Sequence, residues 1–147
     1  MRISDILTLK PGALVSVAPG TAIRRAVALM AAEHVGALVV ADVDGRLLGI
    51  VSERGVVDGL ARHGTHLLDR HVTDIMVSDG PTIGSSDTVV AAMRIMTERR
   101  ARHLPVVDDR RLVGLVSVGD VLKSRLAEKS EEVTVLQDIA RFRLAAA

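Results

Sequence analysis

The chain has 147 residues, 19 Lys and Arg against 18 Asp and Glu, 48% apolar residues, no Cys, Trp or Tyr, and a single Phe. That length fits one compact domain or two small ones with ample aliphatic core, and the net charge of +1 argues against both disorder and a dedicated nucleic-acid binder. The absence of cysteine excludes disulfides and thiolate-ligated metals, and aromatics at 1% leave little to stack on single-stranded bases.

No basic stretch leads into an apolar run at the N-terminus, and no apolar run approaches about 18 residues, so the expected setting is the cytoplasm, with no membrane span. In chain order, a lead-in Ile3–Leu7 (ISDIL) precedes a short strand, Leu14–Val17. Ile23, Ala26, Val27 and Met30 then follow the i, i+3, i+4, i+7 spacing of a half-buried helix. Two β-rich runs, Ala37–Ala41 and Leu47–Ser52, flank an Asp/Gly/Arg turn and read as a hairpin. A helix over Val56–Arg62 closes the unit.

The same order then repeats. Val72–Met76 (VTDIM) echoes the lead-in, Pro81–Ile83 the strand, and Val89, Ala92, Met93 and Met96 the helical stripe. Leu104–Val107 and Leu112–Ser117 form the second hairpin, and Val121–Glu128 the second closing helix. LVVAD at Leu38–Asp42 matches LPVVD at Leu104–Asp108 with an offset of 66. RLLGIVS at Arg46–Ser52 matches RLVGLVS at Arg111–Ser117 with an offset of 65. The lost residue falls in the Asp/Gly-rich turn, where deletions are tolerated. The chain is therefore a duplication: a first unit with its lead-in over 1–66, a second over 67–128, and a tail over 129–147. The fold class is α/β. Each unit is a three-stranded sheet with two helices on one face, and two such units pack about a pseudo-twofold axis to cover what one leaves bare. In the tail, Val133, Leu136, Ile139 and Ala140 share a helical face with Phe142 nearby, as either a capping helix or a dimer contact.

Ser117 closes a strand and Asp120 lies in the first turn of the following helix. Asp120 is there either a helix cap or a carboxylate presented to a ribose diol. Glu98–His103 (ERRARH) carries a helix end in Arg99 and Arg100, whereas Arg102 and His103 stand at a strand start. His63, His66 and His71 straddle a glycine-containing loop with Asp69 the only carboxylate close by, which reads as linker chemistry and not a metal site. No Ser/His/Asp set, carboxylate pair, P-loop or GxGxxG is present, so catalysis is not expected.

The runs LVGLVSVGD (Leu112–Asp120) and RHLPVVD (Arg102–Asp108) resemble the CBS-domain signature, and residues 3–126 as a whole resemble a stand-alone bacterial tandem CBS pair, or Bateman module. The resemblance implies a regulatory module that binds AMP, ADP, ATP, NAD or S-adenosylmethionine. It also implies a homodimer, a flat four-unit disc joined through helices, that signals to an unknown downstream protein. The implied main site pairs Ser117, Asp120 and Leu115 with Lys10, Val15, Val35, Gly36 and Ala37 of the other unit. Val15, Val35 and Leu115 would hold the base between aliphatic walls while the Gly36–Ala37 backbone reads its edge. Arg102 and His103 would meet phosphate. The implied second site has Ser52 with walls at Met76, Pro81, Ala101, Arg102 and His103, but Gly55 stands where the family has Asp. It should bind more weakly, with Arg54 serving a phosphate. That missing carboxylate also supports an alternative, an interaction module with vestigial clefts.

Overall fold

A computed structural model describes residues 1–10 and 14–146. The elements are α1 (Ile3–Leu9), β1 (Ser16–Val17), α2 (Ile23–Glu33), β2 (Ala37–Ala41), β3 (Leu47–Ser52) and α3 (Glu53–His63), then α4 (Val89–Arg99), β4 (His103–Asp108), β5 (Arg111–Ser117) and α5 (Val118–Ala146). Two 3-10 turns, Gly64–Asp69 and Val72–Asp74, separate α3 from α4. The mixed α/β arrangement expected from the periodicities is present in both units.

The first sheet runs β1-β2-β3, with β1 parallel and β3 antiparallel to β2. In the second, β4 and β5 pair antiparallel and the third strand shrinks to Ile83. Ile83 donates its N–H to the Pro105 carbonyl (3.0 Å) and accepts from Val107 N–H (2.8 Å), the ladder role of β1 in one residue. Pro81 has no N–H with which to extend it. Likewise Leu14 and Val15 stay outside β1.

The closing helices begin three residues before their expected starts, because the strand-ending serines are their caps. Ser52 Oγ accepts from Gly55 N–H and Ser117 Oγ from Asp120 N–H, each at 3.1 Å. At the other end, α5 does not stop at Glu128. Nothing from Lys129 to Ala146 is Gly or Pro, and the helix continues with residues 129–145 exposed. The tail therefore does not cap its own module.

Repeat symmetry extends to backbone strain. His34 and Arg100 end α2 and α4 in left-handed conformation, φ 54° and 50°. The following N–H groups, of Val35 and Ala101, return to Met30 and Met96. A side chain in that region costs about 1–2 kcal/mol. Both units accept the cost at the point where the chain turns from helix into the central strand.

The two cores do not follow the division along the chain. Ile3 and Ile6 of α1 are buried with Ile83, Val89, Leu104 and Val116 of the second unit. Leu67 and Val72 are buried with Val17, Ile23, Leu38 and Val51 of the first. The bridges Arg2↔Thr88 and Ala22↔His71 mark the same exchange. Each lead-in therefore crosses to the other unit, so neither core is complete without a piece from beyond it.

The exchange accounts for the glycines that the repeats share. A Cβ on Gly49 would lie 2.8 Å from the Val77 carbonyl oxygen and 2.9 Å from Met76 Sδ, and one on Gly114 2.6 Å from Leu7 Cδ2. The lead-ins lie directly on these strand backbones. Leu7 can change rotamer, but the Val77 carbonyl is held by Ile50 N–H at 3.0 Å. Gly49→Ala is therefore expected to cost about 1–3 kcal/mol, and Gly114→Ala less, a ranking that urea unfolding followed by circular dichroism checks.

Candidate functional site

Where α1 passes toward the first unit, it forms one wall of a cleft of about 230 Å³. Five of the residues expected at the main site line it: Lys10, Val15, Val35, Ala37 and Leu115. The structure adds Leu7 and Glu33, which the sequence reading did not single out. Leu7 had a signal, the in-step glycine at 114 that it covers, whereas Glu33 is simply the last residue of α2. The walls come from both cores, Val15 and Val35 packing on the first and Leu7 on the second.

Lys10 organises the polar end. Its ammonium donates to the Leu115 carbonyl at 2.7 Å and to Asp120 Oδ2 at 2.9 Å. The same Oδ2 accepts from Ser117 N–H at 2.9 Å, while Asp120 N–H returns to Ser117 Oγ, a reciprocal capping box. The cap is thus realised. It does not bury the carboxylate, whose side chain keeps 25% exposure. Burial raises the Asp120 pKa, but the Lys10 hydrogen bond and charge together with Ser117 outweigh it, so the group lies below its ordinary 3.8.

Gly36 sits between two further polar groups. A Cβ there would lie 3.6 Å from Glu53 Oε2 and 3.7 Å from His103 Nε2. Its carbonyl already accepts from Glu53 N–H at 3.0 Å, as the Arg102 carbonyl accepts from Val118 N–H at 2.9 Å. One lone pair of each remains for a ligand. Glu53, in the first turn of α3, is a neighbour that the sequence motifs do not single out. Burial lowers the His103 pKa from 6.5 and the Arg102 and Lys10 charges lower it further, against Asp120 and Glu53. At neutral pH His103 is an uncharged imidazole, and Arg102, exposed beside it, supplies the positive charge.

The residues of the second set are dispersed among structural tasks. Ser52 caps α3, Met76 lies against Gly49, and Ala101 packs on the second core. Pro81 is half-buried. Arg54 is turned outward, 84% exposed, with Nε 3.1 Å from Asp58 Oδ1 one helical turn on. Gly55 is helical and has space, since a Cβ there would meet Ser52 Oγ at 3.5 Å and the Ile75 carbonyl oxygen at 3.6 Å. His63, His66 and His71 are all exposed, and among the described residues no His/Cys/Asp/Glu group is arranged to hold a metal ion. No described helix is long and apolar enough to cross a membrane.

Comparison with known proteins gives a consistent result. The family model described as "CBS domain" matches residues 3–62 and 72–127. An uncharacterized 33.4 kDa protein of Thermofilum pendens is 42% identical over 100 residues, 68% of this chain; the chain spans 32% of that relative's length. A crystal structure of a CBS-domain protein of Agrobacterium tumefaciens superposes with a TM-score of 0.79 at 37% identity, covering 84% of this chain and 92% of that one. A CBS domain protein of Pyrobaculum aerophilum complexed with AMP superposes with a TM-score of 0.73 at 30% identity, covering 82% and 89%.

The Lys10–Asp120 pair gives the fold a signature in acid. Because the Asp120 pKa is depressed in the folded chain, its ionised form favours folding above 3.8, and that contribution is lost as pH falls below 3.8 through the folded value. Lys10→Met removes the chief opposing partner and leaves the effect of burial. Acid unfolding, followed by far-UV circular dichroism, is expected to begin at higher pH in that variant.

Proposed function

The chain belongs to the CBS-domain family, and from that premise we propose that it is a regulatory module that binds an adenine nucleotide (AMP, ADP, ATP or NAD) in the Lys10–Asp120 cleft. The observation that carries this reading is a cleft walled by both cores, aliphatic along most of its lining and edged by Lys10, whose ammonium holds the partly exposed Asp120 carboxylate at a helix start. The AMP complex of the Pyrobaculum relative supports the ligand class.

At about 230 Å³ the cleft is smaller than the roughly 300–1,000 Å³ of whole-ligand pockets, which suits a base with its sugar and phosphate at the mouth. Val15, Val35 and Leu115 pack the base. Asp120 accepts from the ribose hydroxyls, and Arg102 with neutral His103 meets the phosphate. In the free protein the Lys10 ammonium holds the place of the sugar's donors on Asp120. Ligand binding exchanges that tie for one that spans both cores, so occupancy and the relation between the cores are linked by differential affinity. Val57, Val90, Met93, Leu122 and Leu126 are apolar and exposed on α3, α4 and α5, and in this reading they form the face that meets a second copy. No residue has a catalytic role.

Gly55 and the outward Arg54 favour a structural part for the second cleft. Calorimetry with AMP separates the two. Asp120→Asn keeps most of the cap but loses the charged acceptor, at an expected cost of about 2–3 kcal/mol, or roughly 30- to 150-fold in affinity. Gly55→Asp reproduces the Ser117–Asp120 capping box in α3, so it should stabilise the fold by about 1 kcal/mol and add a second binding event. Undiminished affinity in Asp120→Asn would leave the residue as a cap alone.

Arg102→Ala addresses the phosphate end. Losing a charge-assisted hydrogen bond is expected to weaken AMP by about 1.5–3 kcal/mol and adenosine hardly at all. Equal weakening of both would place Arg102 away from the phosphate.

A further inference from the structure

The distal half of α5 projects from both cores with every residue from 129 to 145 exposed. At 100° per residue, Val133, Val135, Leu136, Ile139, Ala140 and Phe142 fall within one half of its surface. Thr134, Gln137, Asp138 and Arg141 take the other half, with Leu144 at its edge. The exposed apolar side chains are large: Leu136 is 65% and Phe142 76% accessible. An isolated segment of this length is a marginal helix in water, so its persistence calls for a partner on the apolar side.

The midline of that side identifies the partner. Glu132, Leu136, Ile139 and Arg143 follow one another at 4, 3 and 4 residues, the spacing of a coiled-coil seam. Two opposite charges therefore stand at the two ends of an apolar seam. Against a wholly apolar groove or a lipid surface, both would be desolvated without a counter-charge. Against a parallel copy, Glu132 would meet Glu132 and Arg143 would meet Arg143. Against an antiparallel copy, Glu132 faces Arg143 at both ends, Leu136 faces Ile139, and Val133 faces Phe142. The present partner of Glu132, Lys129 Nζ at 3.0 Å, is an exposed intrahelical pair and worth little by comparison.

We propose that residues 129–144 of α5 pair antiparallel with the same segment of a second copy of this chain, in the register that opposes Glu132 and Arg143. The pairing has the two-fold self-complementarity of a closed dimer contact. It is separate from the core helices and from the nucleotide cleft, and does not rest on the function of either.

The native chain has no cysteine, which makes a disulfide test direct. Glu132→Cys and Arg143→Cys are prepared as separate full-length chains, one of them tagged, and oxidised alone and after mixing. In the antiparallel register, like positions are 11 residues apart, about 16 Å along the helix, beyond the roughly 4.4–6.8 Å that a disulfide spans. The mixture is expected to give at least tenfold more cross-linked product than either chain alone, as the mixed species. Efficient cross-linking of each chain by itself would establish parallel pairing and overturn the proposal, and so would no cross-linking in any sample. AMP titration of both variants, expected to match the native chain, keeps a failure of the nucleotide reading distinct from a failure of this one.

Discussion

The Lys10 ammonium is the tie on which the arrangement of the two units turns. It ends α1, a helix that belongs in space to the second core, and it holds both the Leu115 carbonyl of β5 and the carboxylate at the start of α5. The residues before Lys10 pack on the second core, and Val15 packs on the first. One cation thus ends the part of the lead-in that packs on the second core, helps hold the Asp120 pKa below its ordinary value and forms an edge of the cleft. Its bonds are partly exposed, with 37% of the lysine side chain accessible, so a competing ligand can reach them. A buried pair would have been a more rigid tie and a poorer place to bind anything.

Duplication accounts for most of what surrounds that tie, and the departures from symmetry are where the two clefts diverge. Both closing helices begin on a serine cap, and both central strands begin after a left-handed residue. Both hairpins carry a glycine under a lead-in. Only one cap is reciprocal, because Asp120 has Gly55 as its counterpart. The cost to α3 is small, since Ser52 still caps Gly55 N–H, but α3 has no carboxylate at the position that Asp120 holds in α5. Glu53 sits at the first turn of α3 and points toward Gly36 and His103. Its charge contributes to the environment of His103 and does not replace the missing acceptor.

Much of the fold was legible because hydrophobic spacing and the repeat agreed. The stripe Ile23, Ala26, Met30 became the buried face of α2, and Val89, Ala92, Met96 that of α4. Lys10, Val15, Val35, Ala37 and Leu115 were expected together from the family resemblance, and the structure brings them to one cleft. What remained illegible was long-range. Periodicity within a lead-in shows that Ile3 and Ile6 need burial, but not in which core, and the exchange is settled by close backbone contact at Gly49 and Gly114. Arg54, which the motif places beside the second cleft as a phosphate ligand, is exposed in this structure and pairs with Asp58 four residues on. The length of α5 was missed for a simpler reason: a tail with few contacts has no tertiary signal, and only the absence of Gly and Pro marks it as helix.

That uninterrupted helix has a mechanical consequence. α5 starts beside the capping box that Lys10 engages and runs 29 residues to Ala146, about 43 Å at 1.5 Å per residue. Its first turns are held by Val121 in the second core, while residues 129–145 are exposed. A rigid rod anchored at one end converts small rotations there into large displacements at the other, so a change of about 5° at Ser117 moves the far end by roughly 4 Å. Packed interfaces respond to such shifts by moving between discrete arrangements and not by continuous deformation. The carboxylate that a ligand would engage and the apolar seam that a second copy would cover therefore lie on one rigid element, with no hinge residue between them.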